Sequence, residues 1–417
     1  MFRRPRGTRD FTPEEMARRR AVEAAFIRVA RRFGYGEVAT PTFEHAQLFI
    51  TKSGPAIVDE LYVFRDKGGR ELALRPELTA PVIRFYLNEL QARPKPLKVF
   101  YFGTCYRYDE PQYGRYREFY QFGVEILGGN PLQTDAEVIA TAVEAVREAG
   151  LTGFQLRVGH IGLIRGLLAV DEERKARILN DLDKRRLDDL TGELEDAGIG
   201  GMRDKLVALV DLRGGPEVLE EAGEMVGDQE GLRYLTDLGR LLARYGIEDI
   251  VFDLGVVRGL DYYTGAVFEL HYEPLGSASQ ICGGGSYTLT DIFGGEPLQT
   301  TGFGMGFDRV LLALEKAGVE LPGARLDVFV LPVGDHMVES AYEVLRHLRE
   351  AGLTADVDLV GRGPSKNLDH ANALGARYAV LVGEKEWAHG DVALKDMKDG
   401  SQEETPVANL ASRIKGT

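Results

Sequence analysis

Strand-like runs follow one another through the first part of the chain with few helical stretches between them, and this spacing constrains the fold more than any other feature. Residues 61–64, 71–74, 98–103, 119–127 and 155–158 read as strands, while 135–148 reads as a helix. Parallel strands need a crossover between them, usually a helix, so this order predicts an antiparallel sheet rather than a βαβ array. Ahead of them, Thr12-Pro13-Glu14-Glu15 reads as a helix start, and 37–41 as a short strand closed by proline. From about 162 to 244 the texture turns charged and helix-forming. Strand texture returns at 250–254, 266–272 and 279–282, so a helical segment is inserted into a β-rich domain. Residues 302–314 begin with glycines and become an apolar helix.

Leu321-Pro322-Gly323 marks a linker. Beyond it strand 326–331, helix 336–351, strand 355–359, helix 365–374 and strands 378–382 and 392–396 describe a small α/β domain. The expected architecture is therefore an α+β domain over 1–320, built on an antiparallel sheet with a helical insertion at about 162–244. An α/β domain over 325–417 follows it. A chain of 417 residues is long enough for two or three cores.

Composition narrows the class. No stretch approaches the ~20 apolar residues of a membrane span, and the basic start, Met1 to Arg6, is followed by no apolar run, which argues for a cytoplasmic protein. Two cysteines, Cys105 and Cys282, fit a reducing compartment and cannot form a metal site by themselves. The net charge of −14 opposes broad nucleic-acid binding. Arginine is nevertheless crowded at the beginning, from Arg3 to Arg32, and again at Arg107, Arg115 and Arg117, so local patches remain able to hold RNA.

P-loop, dinucleotide, His-Glu-x-x-His and Gly-x-Ser-x-Gly motifs are absent. Residues 100–125 read as a strand, a loop holding Pro111 and Gly114, and a returning strand. Arg107 at the end of the first strand presents a planar fork suited to phosphate. Arg115, Tyr116 and Arg117 make a basic, aromatic loop suited to an RNA backbone and to base stacking. Gln121 and Glu125 share one face of the return strand and can line a polar pocket. A charged surface hairpin accounts for the segment equally well when it is taken alone. For Gly302-Phe303-Gly304-Met305-Gly306, close packing of strand against helix is at least as good a reading as a phosphate loop.

The segment 100–125 resembles motif 2 of class II aminoacyl-tRNA synthetases, in the form found in histidyl-tRNA synthetases. Pro5-Arg6-Gly7-Thr8-Arg9-Asp10-Phe11 is similar to that family's opening signature. Val38-Ala39-Thr40-Pro41-Thr42-Phe43-Glu44 resembles motif 1, which implies a homodimer interface. Gly302 to Arg309 resembles motif 3. Leu74 to Pro81 is similar to the histidine-binding strand and turn, where Glu77 and Thr79, two apart in an extended chain, would receive the ammonium group. Val257 to Tyr263 resembles the histidine-specific motif, and Cys282 to Thr288 a glycine-rich pocket strand. In that strand Ser286 and Thr288 stand where the family usually carries Arg and Asp. The C-terminal segment resembles the anticodon-binding domain.

The resemblance implies activation of histidine with ATP and Mg²⁺, then transfer to tRNA(His). It implies catalytic roles for Arg107, Arg258 and Arg309. Histidine binding falls to Glu77, Thr79, Gln121, Glu125, Arg258, Leu260, Tyr262, Tyr263 and Tyr287. ATP binding falls to Arg107, Glu110, Tyr116, Phe119 and Arg309, and tRNA binding to Gln112, Arg115 and Arg117. A non-catalytic paralogue that regulates ATP phosphoribosyltransferase is the alternative. It lacks the anticodon domain and tends to lose the ATP arginines, both of which this chain keeps.

Overall fold

The computed structural model describes residues 2–227, 229–256, 263–323 and 326–416. Internal contacts group them into two units, Met1–Phe11 with Arg19–Leu321, and Thr12–Arg18 with Pro322–Thr417. In the first unit the strands are β1 (Gly36–Glu37), β2 (Phe43–His45), β3 (Val63–Arg65), β4 (Glu71–Leu74), β5 (Leu97–Tyr106) and β6 (Glu118–Leu127). They continue with β7 (Gln155–His160), β8 (Arg213–Gly214), β9 (Ile250–Asp253), β10 (Tyr263–His271), β11 (Gln280–Tyr287) and β12 (Thr300–Gly306).

Nine of these form one sheet in the order β1-β5-β6-β12-β11-β10-β7-β9-β8. Its centre, from β5 to β7, is antiparallel throughout, as the sequence predicts. Strands β2, β4 and β3 make a separate small sheet. Between β7 and β9 the described residues form six α-helices, from Ile161–Leu167 to Glu230–Arg244.

Strand alternation divides the large sheet into two faces. Phe100, Phe122, Val124, Phe303 and Met305 point to one face and pack with Val22, Phe26, Val29, Phe307 and Val310. Phe26 and Phe122 lie with ring centroids 5.0 Å apart. Each such fully buried side chain contributes about 1.5–3 kcal/mol. Helix Phe307–Lys316 thus follows β12 directly and is anchored beside it.

In the second unit, β13 (Leu326–Pro332), β14 (Ala355–Val357), β15 (Ala376–Val382), β16 (Asp391–Asp396) and β17 (Gln402–Pro406) form a five-stranded sheet, ordered β14-β13-β15-β16-β17. Helices Val338–Glu350 and Val407–Lys415 bury Val344, Leu348, Leu410 and Ile414 in one core with Val328 and Val380. Helix Pro364–Ala373 places Ala371 in a second cluster with Phe329, Leu331 and Ala379.

Three local expectations change. The strand expected at 355–359 stops at Val357, because the Asp358 carboxylate accepts the backbone N–H groups of Val360 and Arg362 and turns the chain. The strand expected at 37–41 pairs with β5 only through Gly36 and Glu37, followed by one further bond from Val38 N–H to the Phe100 carbonyl. The glycine run 302–306, expected as a helix approach, is a central strand, and β11 likewise continues through Gly283-Gly284-Gly285.

Candidate active site

The second face of the sheet is the floor of a cavity of about 840 Å³. Gly302 and Gly304 of β12 lie on that floor beneath side chains of β6. A Cβ on Gly302 would stand 1.6 Å from Glu125 Oε2, and one on Gly304 2.4 Å from Gln121 Nε2. The glycine repeat therefore exists to let two polar side chains lie flat across a neighbouring strand. Close packing is its cause, but against side chains of a neighbouring strand rather than against the helix that the sequence suggested.

Arg107, Arg115 and Arg309 line the cavity together, close enough that the charges of the first two act on the third. Arg107 is held by a bond from Nε to the Pro76 carbonyl, 3.0 Å, and lies 5.3 Å from the Phe119 ring centroid. Arg309 donates to the carbonyls of Gly114 (3.1 Å) and Gln280 (2.8 Å). Burial, and then the charges of Arg115 and Arg107, press the Arg309 pKa below the usual arginine value. Such a cluster of fixed guanidinium groups is poised for a polyanion. Behind it, Asp308 Oδ1 accepts from Arg9 (2.6 Å) and Arg19 (2.7 Å), and Oδ2 accepts from Tyr120 N–H (2.8 Å). Arg9 in turn lies 3.5 Å over the Tyr116 ring.

Carboxylates and tyrosines lie in and behind the same cavity wall. Glu125 is fully buried and accepts from Tyr287 (2.5 Å) and Tyr101 (3.1 Å). Desolvation raises its pKa to about 7, against the pull of Tyr287 and the other donors. The rings of Tyr263 and Tyr287 meet edge-on at 6.2 Å. Glu77 accepts the N–H groups of Thr79 (2.7 Å) and Ala80 (3.1 Å), at the start of helix Thr79–Phe85, and pairs with Lys52 at 3.0 Å. On the wall formed by β10, Glu269 is held by His271 (2.7 Å) and Gln280 (2.8 Å).

Residues 7–310 match the family model for histidyl-tRNA synthetase, and residues 327–417 that for an anticodon-binding domain. The chain belongs to the histidyl-tRNA synthetase family. It is 46% identical to a histidine–tRNA ligase of Archaeoglobus fulgidus, over 97% of each chain. It is 44% identical to that of Methanosarcina acetivorans, over 99% of this chain and 98% of the relative. Among solved structures, the apo histidyl-tRNA synthetase of S. aureus superposes with a TM-score of 0.74 at 29% identity, over 99% of this chain and all of that one.

Of the residues that the family resemblance singles out, Glu77, Thr79, Arg107, Arg115, Tyr116, Phe119, Gln121, Tyr263, Tyr287 and Arg309 line the one cavity. Glu125 lies just beneath its wall. Arg258, Leu260 and Tyr262 lie outside the described residues. Glu110 does not line the cavity: its carboxylate is exposed and paired with Arg6 at 2.9 Å. Gln112 is exposed on the loop, and Arg117 lies beside it, donating to the Asp109 carbonyl and lying 4.1 Å over the Tyr108 ring. Glu77 and Thr79 do share the cavity, but not by strand alternation, because the chain turns after Arg75 and Glu77 folds back onto a helix start.

Lys52, Tyr101, Glu269 and Asp308 carry no sequence assignment yet belong to the site or its support. Lys52 leaves a trace in the sequence: with Ala46 and Phe49 it repeats every third residue, on the buried face of helix Ala46–Ser53. Ser286, where the family usually carries arginine, donates to the buried carboxylate of Asp135, which also accepts from Thr301 and from Tyr234 of the inserted segment. Hydroxyl groups thus satisfy that carboxylate without a salt bridge.

Proposed function

We propose that the protein is a histidine–tRNA ligase that activates histidine with ATP and transfers the histidyl group to tRNA(His). One observation carries this reading: a single cavity is lined by Arg107, Arg115 and Arg309 together with Glu77, Tyr263 and Tyr287. In the first step the histidine carboxylate attacks the α-phosphate of ATP, forming histidyl-adenylate and releasing pyrophosphate. Negative charge grows on phosphate oxygens, so the anchored guanidinium groups of Arg107 and Arg309, with Arg258, lower the barrier. Phe119 and Tyr116 flank the nucleotide. Glu77, Thr79, Gln121 and Glu125 hold the amino acid, and Tyr263 and Tyr287 close on its imidazole. In the second step the 3′-terminal ribose of the tRNA takes the histidyl group.

Mg²⁺ would offset charge on the phosphates of ATP, and a cavity carboxylate would help to hold it. Glu269, on the cavity wall formed by β10, is the carboxylate that would do so. Arg115, Gln112 and Arg117 lie on the loop that meets the tRNA, and the 325–417 domain reads the anticodon. Strands β2 and β3 expose Phe43 and Phe64, whose rings touch at 6.2 Å, and Val63 beside them. These exposed apolar side chains on the small sheet, within and next to the motif 1 segment, support a homodimer.

The test is histidine-dependent ATP–pyrophosphate exchange by the purified protein, followed by charging of tRNA(His). Exchange with histidine and none with other amino acids supports the reading. Folded protein that binds histidine without exchange sinks it in favour of the regulatory paralogue. The exchange also has an expected pH signature. Glu125, with a pKa of about 7, is neutral below that pH and charged above it. The KM for histidine should therefore rise as pH falls from 8 to 6, and Glu125→Gln should leave only the substrate's own titration. Identical pH profiles for the two proteins would remove Glu125 from the ammonium subsite.

A further inference from the structure

The cavity holds a cation that the mechanism above does not use. Lys52 sits on helix Ala46–Ser53 with its side chain 3% exposed, lines the cavity and reaches Glu77 Oε2 at 3.0 Å. A buried ammonium is costly and persists only where it is paired. Its helix neighbours on the same face, Ala46 and Phe49, are apolar and buried, so packing alone gives no reason for a charge there.

We propose that Lys52 is a positioning residue of the amino-acid subsite, acting through Glu77 to fix the carboxylate that receives the substrate's α-ammonium group and to set the charge that the substrate meets. The inference rests on the histidine ligase reading. Glu77 takes three donors: Lys52 and the N–H groups of Thr79 and Ala80. The two amides belong to the backbone and cannot change, which leaves Lys52 as the removable partner. Charge counting gives the same answer. The subsite holds two carboxylates, Glu77 and Glu125, and the charge of Lys52 also acts on Glu125. Histidine brings one ammonium. With Lys52 present, the Glu77 carboxylate is partly compensated before the substrate ammonium arrives. Without it, Glu77 keeps its two amide donors but loses the positive charge that fixes its Oε2, and the added negative charge also repels the substrate carboxylate.

The experiment measures histidine binding by calorimetry and KM in the exchange assay for Lys52→Met, Lys52→Arg, Glu77→Gln and the double variant Lys52→Met/Glu77→Gln, with thermal melts of each. Lys52→Met is expected to weaken histidine binding about tenfold or more, with KM for ATP within about twofold of wild type. Lys52→Arg should restore most of the loss. In the Glu77→Gln background, Lys52→Met should add less than about twofold, since a residue acting through Glu77 has little left to act on. Multiplicative losses in the double variant would overturn the proposal, as would histidine binding by Lys52→Met within twofold of wild type. So would equal losses for histidine and ATP accompanied by a lowered melting temperature, the mark of a merely structural pair. If Lys52→Met does not fold, the neutral double variant and Lys52→Arg still read the coupling. Absence of exchange in the wild type would strike the ligase reading alone, because calorimetry reads histidine binding without catalysis.

Discussion

Arg309→Ala is expected to slow histidine-dependent ATP–pyrophosphate exchange by about 10²–10³-fold, the usual cost of removing one preorganised donor from a developing oxyanion. The guanidinium is fixed in the free protein by the carbonyls of Gly114 and Gln280, so no reorganisation is needed when ATP arrives. Burial, and after it the charges of Arg115 and Arg107, lower its pKa, and a bound phosphate would offset that repulsion. Lysine at this position keeps a charge but loses the fork, so Arg309→Lys should fall between wild type and alanine. Arg107→Ala and Arg258→Ala should act on the same step with losses of the same order. Histidine affinity by calorimetry should stay within about twofold in Arg309→Ala, since the groups that Arg309 bonds, the carbonyls of Gly114 and Gln280, are not among those proposed to hold the amino acid. An Arg309→Ala enzyme with near-normal exchange would move the nucleotide away from this wall.

How much of this site could be read from the sequence depends on how each residue reaches it. Gln121 and Glu125 were legible because β6 is a regular strand whose alternation fixes which side chains share a face. Gln121 faces the cavity and Glu125 lies in the wall behind it. Glu77 was legible as a member but not in its geometry. It sits in a turn, where spacing no longer dictates direction, and its carboxylate is spent partly on a helix start. The glycine repeat of β12 was ambiguous for the opposite reason. A missing side chain does not say which neighbour fills the space, and here Glu125 and Gln121 come from a strand nearly 180 residues away in the chain.

Glu110 shows the limit of motif position as a guide. One step along a loop separates a side chain over the cavity from one that pairs with Arg6 in solvent. Lys52 shows the limit of polarity. A lysine on a helix is ordinarily read as surface, and Glu77, the carboxylate that helps to make its burial tolerable, stands 25 positions on. The sheet itself was the most legible part, since the order of strands without intervening helices leaves little but an antiparallel arrangement. The ends of elements were least so, because polar caps such as Asp358 decide them one residue at a time.

The largest loss of stability is expected from Asp308→Ala, at about 3–5 kcal/mol, because it strips the shared partner from two arginines in a dry environment. Asp308 is 4% exposed, the Arg19 side chain 7% and the Arg9 side chain 22%. One carboxylate ties the chain's opening segment, helix Pro13–Arg32, strand β6 and helix Phe307–Lys316 into a single node. Without it, two like charges remain beside each other, and the Tyr120 N–H loses its acceptor. Asp308→Asn keeps the shape and one acceptor oxygen, so it should cost less than alanine while still losing charge compensation. In a thermal melt the alanine variant should lower the transition of the larger unit by roughly 6–10 °C, at about 2 °C per kcal/mol for a domain of this size. Arg9→Ala/Asp308→Ala should recover part of that fall, because the double change removes one of the stranded charges. A shift below about 2 °C for Asp308→Ala would mean that water reaches the node and screens it. Asp308 would then be a local helix-start residue rather than the tie between the opening segment and the floor of the site.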